Sequence, residues 1–528
     1  MRKIYQPGRS NVLSNNAMVA TSQPLSSQEA INILRLGGNA VDAAIAASAV
    51  LSVVEPGSTG IGGDCFAIIK MSNTKALSIN GSGINPAKAN FKYFKENKIN
   101  SIGLLSPHSV TIPGAVDAWH QMHKKFGKLE FEKLFATAIY YAKEGFPVHE
   151  IEAFHWKKNE EKLKKNNITK QIFLKNNQAP NFGKKFTNSQ LANTLTLIGK
   201  KGAKAFYEGE IARDMVKSLN NLGGLHTEED FYNQNTIFSD TLISDYKNNK
   251  IHQCPPNGPG LVVHIMMKLL EKFNWDNIDY IDPIRFHIQA EIAKVCFEIK
   301  ETILGDPQFN TVDIEYIMSN DFIDNLFKKI NLDNVYYSDN LFVTSHPETV
   351  YLTVVDDNLN AVSFINSICH GFGSGICSEN SGILFQNRGV NFRLEENHPN
   401  CIDSNKRPLH TIIPSLLTNN NEETIMSYGV MGGQYQPIGQ AHVLQNTYDF
   451  GMSIQEAIDA PRAFALNNKL KIENSFPKSS IENLSNLGHD IEVVDEGIGG
   501  GQGIMIDRKE GVLIGGSDPR KDGLAIGY

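Results

Sequence analysis

Cysteine is scarce in this 528-residue chain. The six present (Cys65, Cys254, Cys296, Cys369, Cys377, Cys401) are scattered and form no CxxC pair, which excludes a disulfide framework and a thiolate zinc or redox centre. Long apolar runs are missing as well. No window reaches eighteen consecutive apolar residues, and the start MRKIYQPGRSNVLSNNAMVA lacks the apolar segment of a secretory signal, so no membrane span is expected and the cytoplasm is the expected compartment. Positive charge is not in excess: 50 Lys and Arg against 57 Asp and Glu give a net charge of −7. A nucleic-acid binder needs a clustered basic surface, so that class is excluded. The lysine-rich run from Lys157 to Lys175 carries acids and asparagines among its bases and reads as a solvated face.

Several catalytic signatures are also absent. There is no HExxH and no GxSxG, and GSTGIGGD (57–64) lacks the GK[ST] ending of a phosphate loop. The glycines of EGIGGGQGIM (496–505) have no βαβ unit around them and read as a turn between strands. His370, His398, His410 and His442 lack helical metal-ligand spacing, so no catalytic metal and no cofactor are expected.

What is present is a change of texture along the chain. Ser27–Leu36 and Asn39–Val53 read as helices, the second with Asn39 as N-cap, Asp42 in its first turn and apolar residues on nearly every face, hence buried against a sheet. EPGSTGIGGD then CFAIIK reads as loop and strand, and the region from Val116 to about Asn340 as mainly helical. From Thr349 onward TVYLTVVD, AVSFINS, SGILFQN, TIMSYGVM, LKIEN, DIEVVD, GIMIDR and GVLIGG read as strands, interrupted by a helix over Ser453–Ala460. Helix-rich first and strand-rich second is the pattern of an α+β fold in which helices cover sheet layers. The division falls at 348/349, although no linker composition marks it.

Ordered motifs run the length of the chain: GGNAVDAAIAASAVLSVVEPGSTGIGGD, TVYLTVVDDNLNAVSFINS, NKRPL, MGG, APR and the closing SDPRKDGLAIGY. Together they resemble the γ-glutamyltranspeptidase family of N-terminal-nucleophile hydrolases, and QNRG, HPNC, RPLHTIIPSL and GVMGGQYQP look most like its oxamate amidohydrolase branch. The resemblance implies a four-layer αββα sandwich. It also implies self-cleavage between Glu348 and Thr349 into an α chain (1–348) and a β chain (349–528) that share one fold. The partners it implies are those two chains of one precursor and a small amide substrate, with a homo-oligomer allowed.

The chemistry is coherent at the level of residues. Cleavage gives Thr349 a free α-amino group, whose pKa of roughly 7.7–8.0 leaves a useful fraction unprotonated to take the hydroxyl's proton. By the resemblance, Ser367 stands where a family threonine orients the nucleophile, and Gly432 and Gly433 match the diglycine that forms the oxyanion hole. The glutamate clamp is altered. The family's carboxylate-binding arginine falls on Ser82, its acidic partner for the amino group on Asn391, and a neighbouring asparagine on Cys369. Where two serines would follow NKRPL stand His410 and Thr411, and the lid looks shortened around Arg393–Ser404. A serine cannot replace the bidentate, charge-assisted arginine pair, so a small carboxylate-bearing amide is expected, with Arg388 as its nearest carboxylate partner. The other readings are a γ-glutamyl hydrolase or transferase that uses different contacts, and an unprocessed binding protein.

Overall fold

The computed structural model describes residues 8–337 and 348–528. Two seven-stranded antiparallel sheets carry the architecture. One runs in spatial order Val12–Ser14, Val512–Ser517, Gly500–Asp507, Thr424–Met431, Ser415–Thr418, Asn249–Gln253 and Leu242–Tyr246. The other runs Leu524–Gly527, Met18–Thr21, Val350–Val355, Ala361–Ser367, Asp64–Lys70, Leu77–Gly81 and Ile237–Asp240. Each sheet therefore mixes strands from both sides of the 348/349 position.

Side chains alternate across the second sheet with the two-residue period of a strand. Cys65, Ala67 and Ile69 face a core shared with the N-terminal helices, while Phe66 and Ile68 face a core shared with the other sheet. Val350, Leu352 and Val354 against Tyr351 and Val355 repeat the pattern. The helices Gly260–Leu270, Pro283–Ile303 and Gln436–Tyr448 cover the outer face of the first sheet. Among the described residues no helix is long and apolar enough to cross a membrane.

The alanine-rich helix spans Ala40–Val54 and is buried along its entire length. Asn39 caps it, its side chain accepting from Val41 N and Asp42 N while Asp42 accepts from Asn39 N, which satisfies free N–H groups of the first turn. The preceding helix starts at Pro24, earlier than the expected Ser27, because Gln23 caps it and proline suits its first position.

Two expectations are corrected. The region expected to be mainly helical also supplies Asn249–Gln253 and two edge strands, Leu242–Tyr246 and Ile237–Asp240, to the two large sheets, and a separate pair, Phe146–Pro147 with Lys185–Phe186. These are short and carry polar residues on exposed edges, so no apolar alternation marks them. SGILFQN (381–387) forms no sheet strand but folds back on 374–378, with Ser378 N donating to Ile383 O and Phe385 N to Ile376 O. Gly382 at φ +65° turns it, and the Asp214 carboxylate accepts from Asn380 N and Ser381 N at the bend.

Candidate active site

The site is built on one row of residues across four neighbouring strands. Val350 pairs with Asn366, so one step further Thr349 faces Ser367; Ser367 pairs with Asp64; Cys65 pairs with Gly81, so Asp64 faces Ser82. Thr349 is 1% exposed, and its Oγ1 donates to the carbonyl oxygen of Glu348 and lies 3.1 Å from Ser367 Oγ. Ser367 Oγ accepts in turn from Cys369 N (3.0 Å) and from a terminal nitrogen of Arg388 (3.2 Å). Cys369 adopts φ +79° to make that contact, and burial raises its thiol pKa, so it is no thiolate.

Asp64 collects the charges behind this row. It accepts from Gly83 N (2.8 Å), Gln386 Nε2 (2.9 Å) and His410 Nε2 (2.9 Å), with Arg388 Nε 3.9 Å away. Burial and the nearby guanidinium push His410 down to about 4, so its neutral ring donates to the carboxylate. The loop that delivers Asp64 needs its glycines. A methyl on Gly62 would lie 2.1 Å from Leu384 O, and one on Gly63 2.3 Å from Ser367 O.

Gly432 and Gly433 follow Thr424–Met431, a strand of the other sheet that packs against Val350–Val355. Thr353 Oγ1 donates to Ser427 Oγ at 2.6 Å, and the Tyr351 ring lies against Gly429. Two residues further in the same sense, Thr349 is level with Met431, where the strand ends and the diglycine turn begins. Gly432 has φ +124°, and a methyl there would come within 2.8 Å of the Gly499 α-carbon.

The remaining expected substrate contacts are distributed unevenly. Asn391, His410 and Thr411 line a cavity of about 390 Å³ together with Gln434, Lys300 and Arg393. The Asn391 amide donates to Leu409 O, and Thr411 Oγ1 accepts from Arg388 at 2.8 Å. Arg388 itself is fully buried and does not line that cavity. Ser82 is buried too, its hydroxyl donating to Asn80 Oδ1 with Asn257 alongside, while Arg407 Nε donates to its carbonyl oxygen at 3.2 Å. The Arg393–Ser404 segment folds back through Arg393 N to Asn400 O and Ile402 N to Arg393 O, and Arg393 pairs with Glu301 at 2.6 Å on the cavity wall. Burial alone would raise the Glu301 carboxyl, but Lys300 and Arg393 outweigh it and hold it at about 2.

Three contributors went unnoticed in the sequence. Asp64 was visible only as the end of a glycine-rich loop, and its signal was an acid placed directly before an apolar strand. Lys162 belongs to the run read as a solvated face, yet the turn Glu160–Leu163 aims its ammonium at the carbonyls of Gly371 and Gly373. Burial lowers its pKa to about 8 against the opposing pull of the Glu348 carboxylate. Lys300 Nζ donates to Gln434 Oε1 at 2.7 Å, tying the last turn of a long helix to the residue after the diglycine.

Comparisons with known proteins agree with this geometry. The family model for gamma-glutamyltranspeptidase matches residues 26–528. The chain is 35% identical to the glutathione hydrolase-like YwrD proenzyme of Bacillus subtilis, covering 98% of this chain and 99% of that protein. It is 30% identical to the oxamate amidohydrolase proenzyme of Klebsiella pneumoniae, covering 98% and 100% respectively. Among solved structures, cephalosporin acylase from Bacillus halodurans superposes with a TM-score of 0.92 at 36% identity, covering 100% of this chain and 98% of that one. The chain belongs to the gamma-glutamyltranspeptidase family.

Proposed function

We propose that this chain is a self-processing threonine amidohydrolase with the αββα layering of N-terminal-nucleophile hydrolases. The observation that carries the reading is the placement of the Thr349 hydroxyl, which lies against the Glu348 carbonyl group and within 3.1 Å of Ser367 Oγ, itself held by Arg388 and Cys369 N. Attack on that carbonyl transfers the acyl group from nitrogen to oxygen and frees the Thr349 amine; water then hydrolyses the ester and releases residue 348 as a carboxylate. Two chains, 1–348 and 349–528, result. The same hydroxyl, now with its own amine as base, attacks the carbonyl of an external amide, whose oxygen takes the position vacated by Glu348 O. Gly432 and Gly433 offer backbone N–H groups to the developing oxyanion; a donor there contributes on the order of 3 kcal/mol.

The substrate is a small amide that carries a carboxylate, as oxamate does. The altered clamp supports this reading: the Ser82 hydroxyl faces Asn80 and Asn257, and Arg407, whose Nε donates to the Ser82 carbonyl, gives its other end to Asn235. Arg388, buried, donates to Ser367 beside the nucleophile and retains N–H groups beyond those given to Ser367 and Thr411. A γ-glutamyl activity is the second reading, favoured by the likeness to the glutathione hydrolase-like protein. The two are separated by comparing ammonia release from oxamate with chromophore release from a γ-glutamyl anilide on the processed protein. Faster turnover of the anilide overturns the first reading, and a single uncut 58.5 kDa chain in active preparations overturns both.

A further inference from the structure

Far from the nucleophile, three buried side chains converge in a way the reaction does not require. His287 and Glu291 lie four residues apart, on one face of the helix Pro283–Ile303, and His489 follows the helix Lys478–Asn486. One ligand-type atom from each lies within 4.8 Å of the others. The rings of His287 and His489 meet edge to face, with Nδ1 of the first 2.9 Å from Nε2 of the second.

The proton bookkeeping is what makes this cluster informative. His287 Nε2 is 2.8 Å from Asn331 O. A carbonyl only accepts, so Nε2 carries a proton; the contact between the two facing ring nitrogens needs one donor and one acceptor, which His489 Nε2–H and a His287 Nδ1 lone pair supply. Imidazole ligands of metal ions are oriented by the same kind of backbone acceptor on the far nitrogen. A single proton therefore lies between the two nitrogens, which stand at hydrogen-bond distance. His489 is 6% exposed and can carry its proton on Nδ1 instead. With that proton on Nδ1, both facing nitrogens present lone pairs and a cation can take the place of the bridging proton.

We propose that His287 Nδ1, His489 Nε2 and a Glu291 carboxylate oxygen form a binding site for a divalent transition-metal ion of the zinc class. Two nitrogens and one oxygen suit zinc, whose Zn–N bonds of about 2.0–2.1 Å need the nitrogens to part from 2.9 Å to roughly 3.3 Å. Glu291 uses one lone pair of each oxygen, for Lys294 Nζ (2.8 Å) and Tyr336 N (2.9 Å), and a carboxylate has about four such sites. The Lys294 ammonium is the group that opposes binding, and it limits affinity.

The site is structural. His287 and Glu291 precede residue 348 and His489 follows it, so the ion joins the two chains that the proposed scission would create. That consequence rests on the proposed function; metal binding itself does not.

The test is titration of the full-length, chelator-stripped protein with Zn2+ alone, by calorimetry and by metal analysis after desalting. One ion per chain is expected. His489→Gln should weaken uptake by at least about tenfold, Glu291→Gln should weaken it, and Lys294→Met should tighten it. Thr349→Ala should bind like the parent, which separates failure of this inference from failure of the scission reading. Absence of saturable uptake in the parent overturns the inference, as do matching titrations of the parent and His489→Gln. Should His489→Gln not fold, unchanged titrations of Glu291→Gln and Lys294→Met overturn it equally.

Discussion

Thr349 and Ser367 face each other hydroxyl to hydroxyl at 3.1 Å across two antiparallel strands, one step beyond the pair Val350–Asn366. Strand register therefore sets the nucleophile's orientation, and a slip of one residue would turn both hydroxyls to opposite faces of the sheet.

Replacing Thr349 by alanine removes the attacking oxygen and leaves the strand intact. Intact-mass spectrometry should find one chain of about the precursor's mass in that variant and two fragments in the parent, with all amidase activity lost. Fragments of parent size in Thr349→Ala would show that another group cuts the chain.

Ser367→Ala and Arg388→Met act through the same contact. The serine variant should lose about a hundredfold in kcat with KM little changed, the pattern of an interaction made mainly in the transition state. Arg388→Met should raise KM for oxamate and slow scission as well, because it loses both the substrate's cation and the group holding Ser367. It also removes a buried cation that faces Asp64, which should lower unfolding free energy by on the order of 3 kcal/mol in a urea titration. An unchanged KM for oxamate would remove Arg388 from substrate binding.

Gly432→Ala places a methyl 2.8 Å from the Gly499 α-carbon at φ +124°. Strain of roughly 1–3 kcal/mol should appear as a lower urea midpoint. The displaced turn should lower kcat more than it raises KM, as steady-state kinetics on the folded fraction would show.

Stability should fall as pH is lowered from about 6.5 towards 4, in part because of His252. Burial, with Lys70 and Lys250 nearby, holds its folded pKa at about 4 against an ordinary 6.5, and its two nitrogens are engaged by Thr241 and Thr418. The unfolded chain takes the proton first, so the contribution is complete above 6.5 and is lost through that window, at up to about 1.4 kcal/mol per pH unit. Glu55, raised to about 7 by burial, acts in the opposite sense, so the measurement is the difference in pH slope between the parent and His252→Gln. Urea unfolding at half-unit intervals should show the shallower slope in the variant; equal slopes would remove His252 from the pH response.

The local chemistry of the sequence fixed much of what was found. The capped, all-round apolar helix at Ala40–Val54 and the strands Ala361–Ser367 and Thr424–Met431 follow from capping residues and from side chains two apart, both properties of a few consecutive residues. Thr349, Ser367 and the diglycine were singled out by the family resemblance that the order of motifs carries; within its own segment each reads as an ordinary strand threonine, strand serine or turn.

What no segment contains is the company these residues keep. Asp64, Gln386, Arg388 and His410 are separated by up to 346 positions yet meet at one carboxylate, and only the pairing of strands and the close approach allowed by Gly62 and Gly63 bring them there. Lys162 looked solvated because its neighbours are, and its direction was decided by where the 371–373 turn packs. Burial sets the charge state of His410 as well, since desolvation belongs to the surroundings of a group and not to its place in the chain.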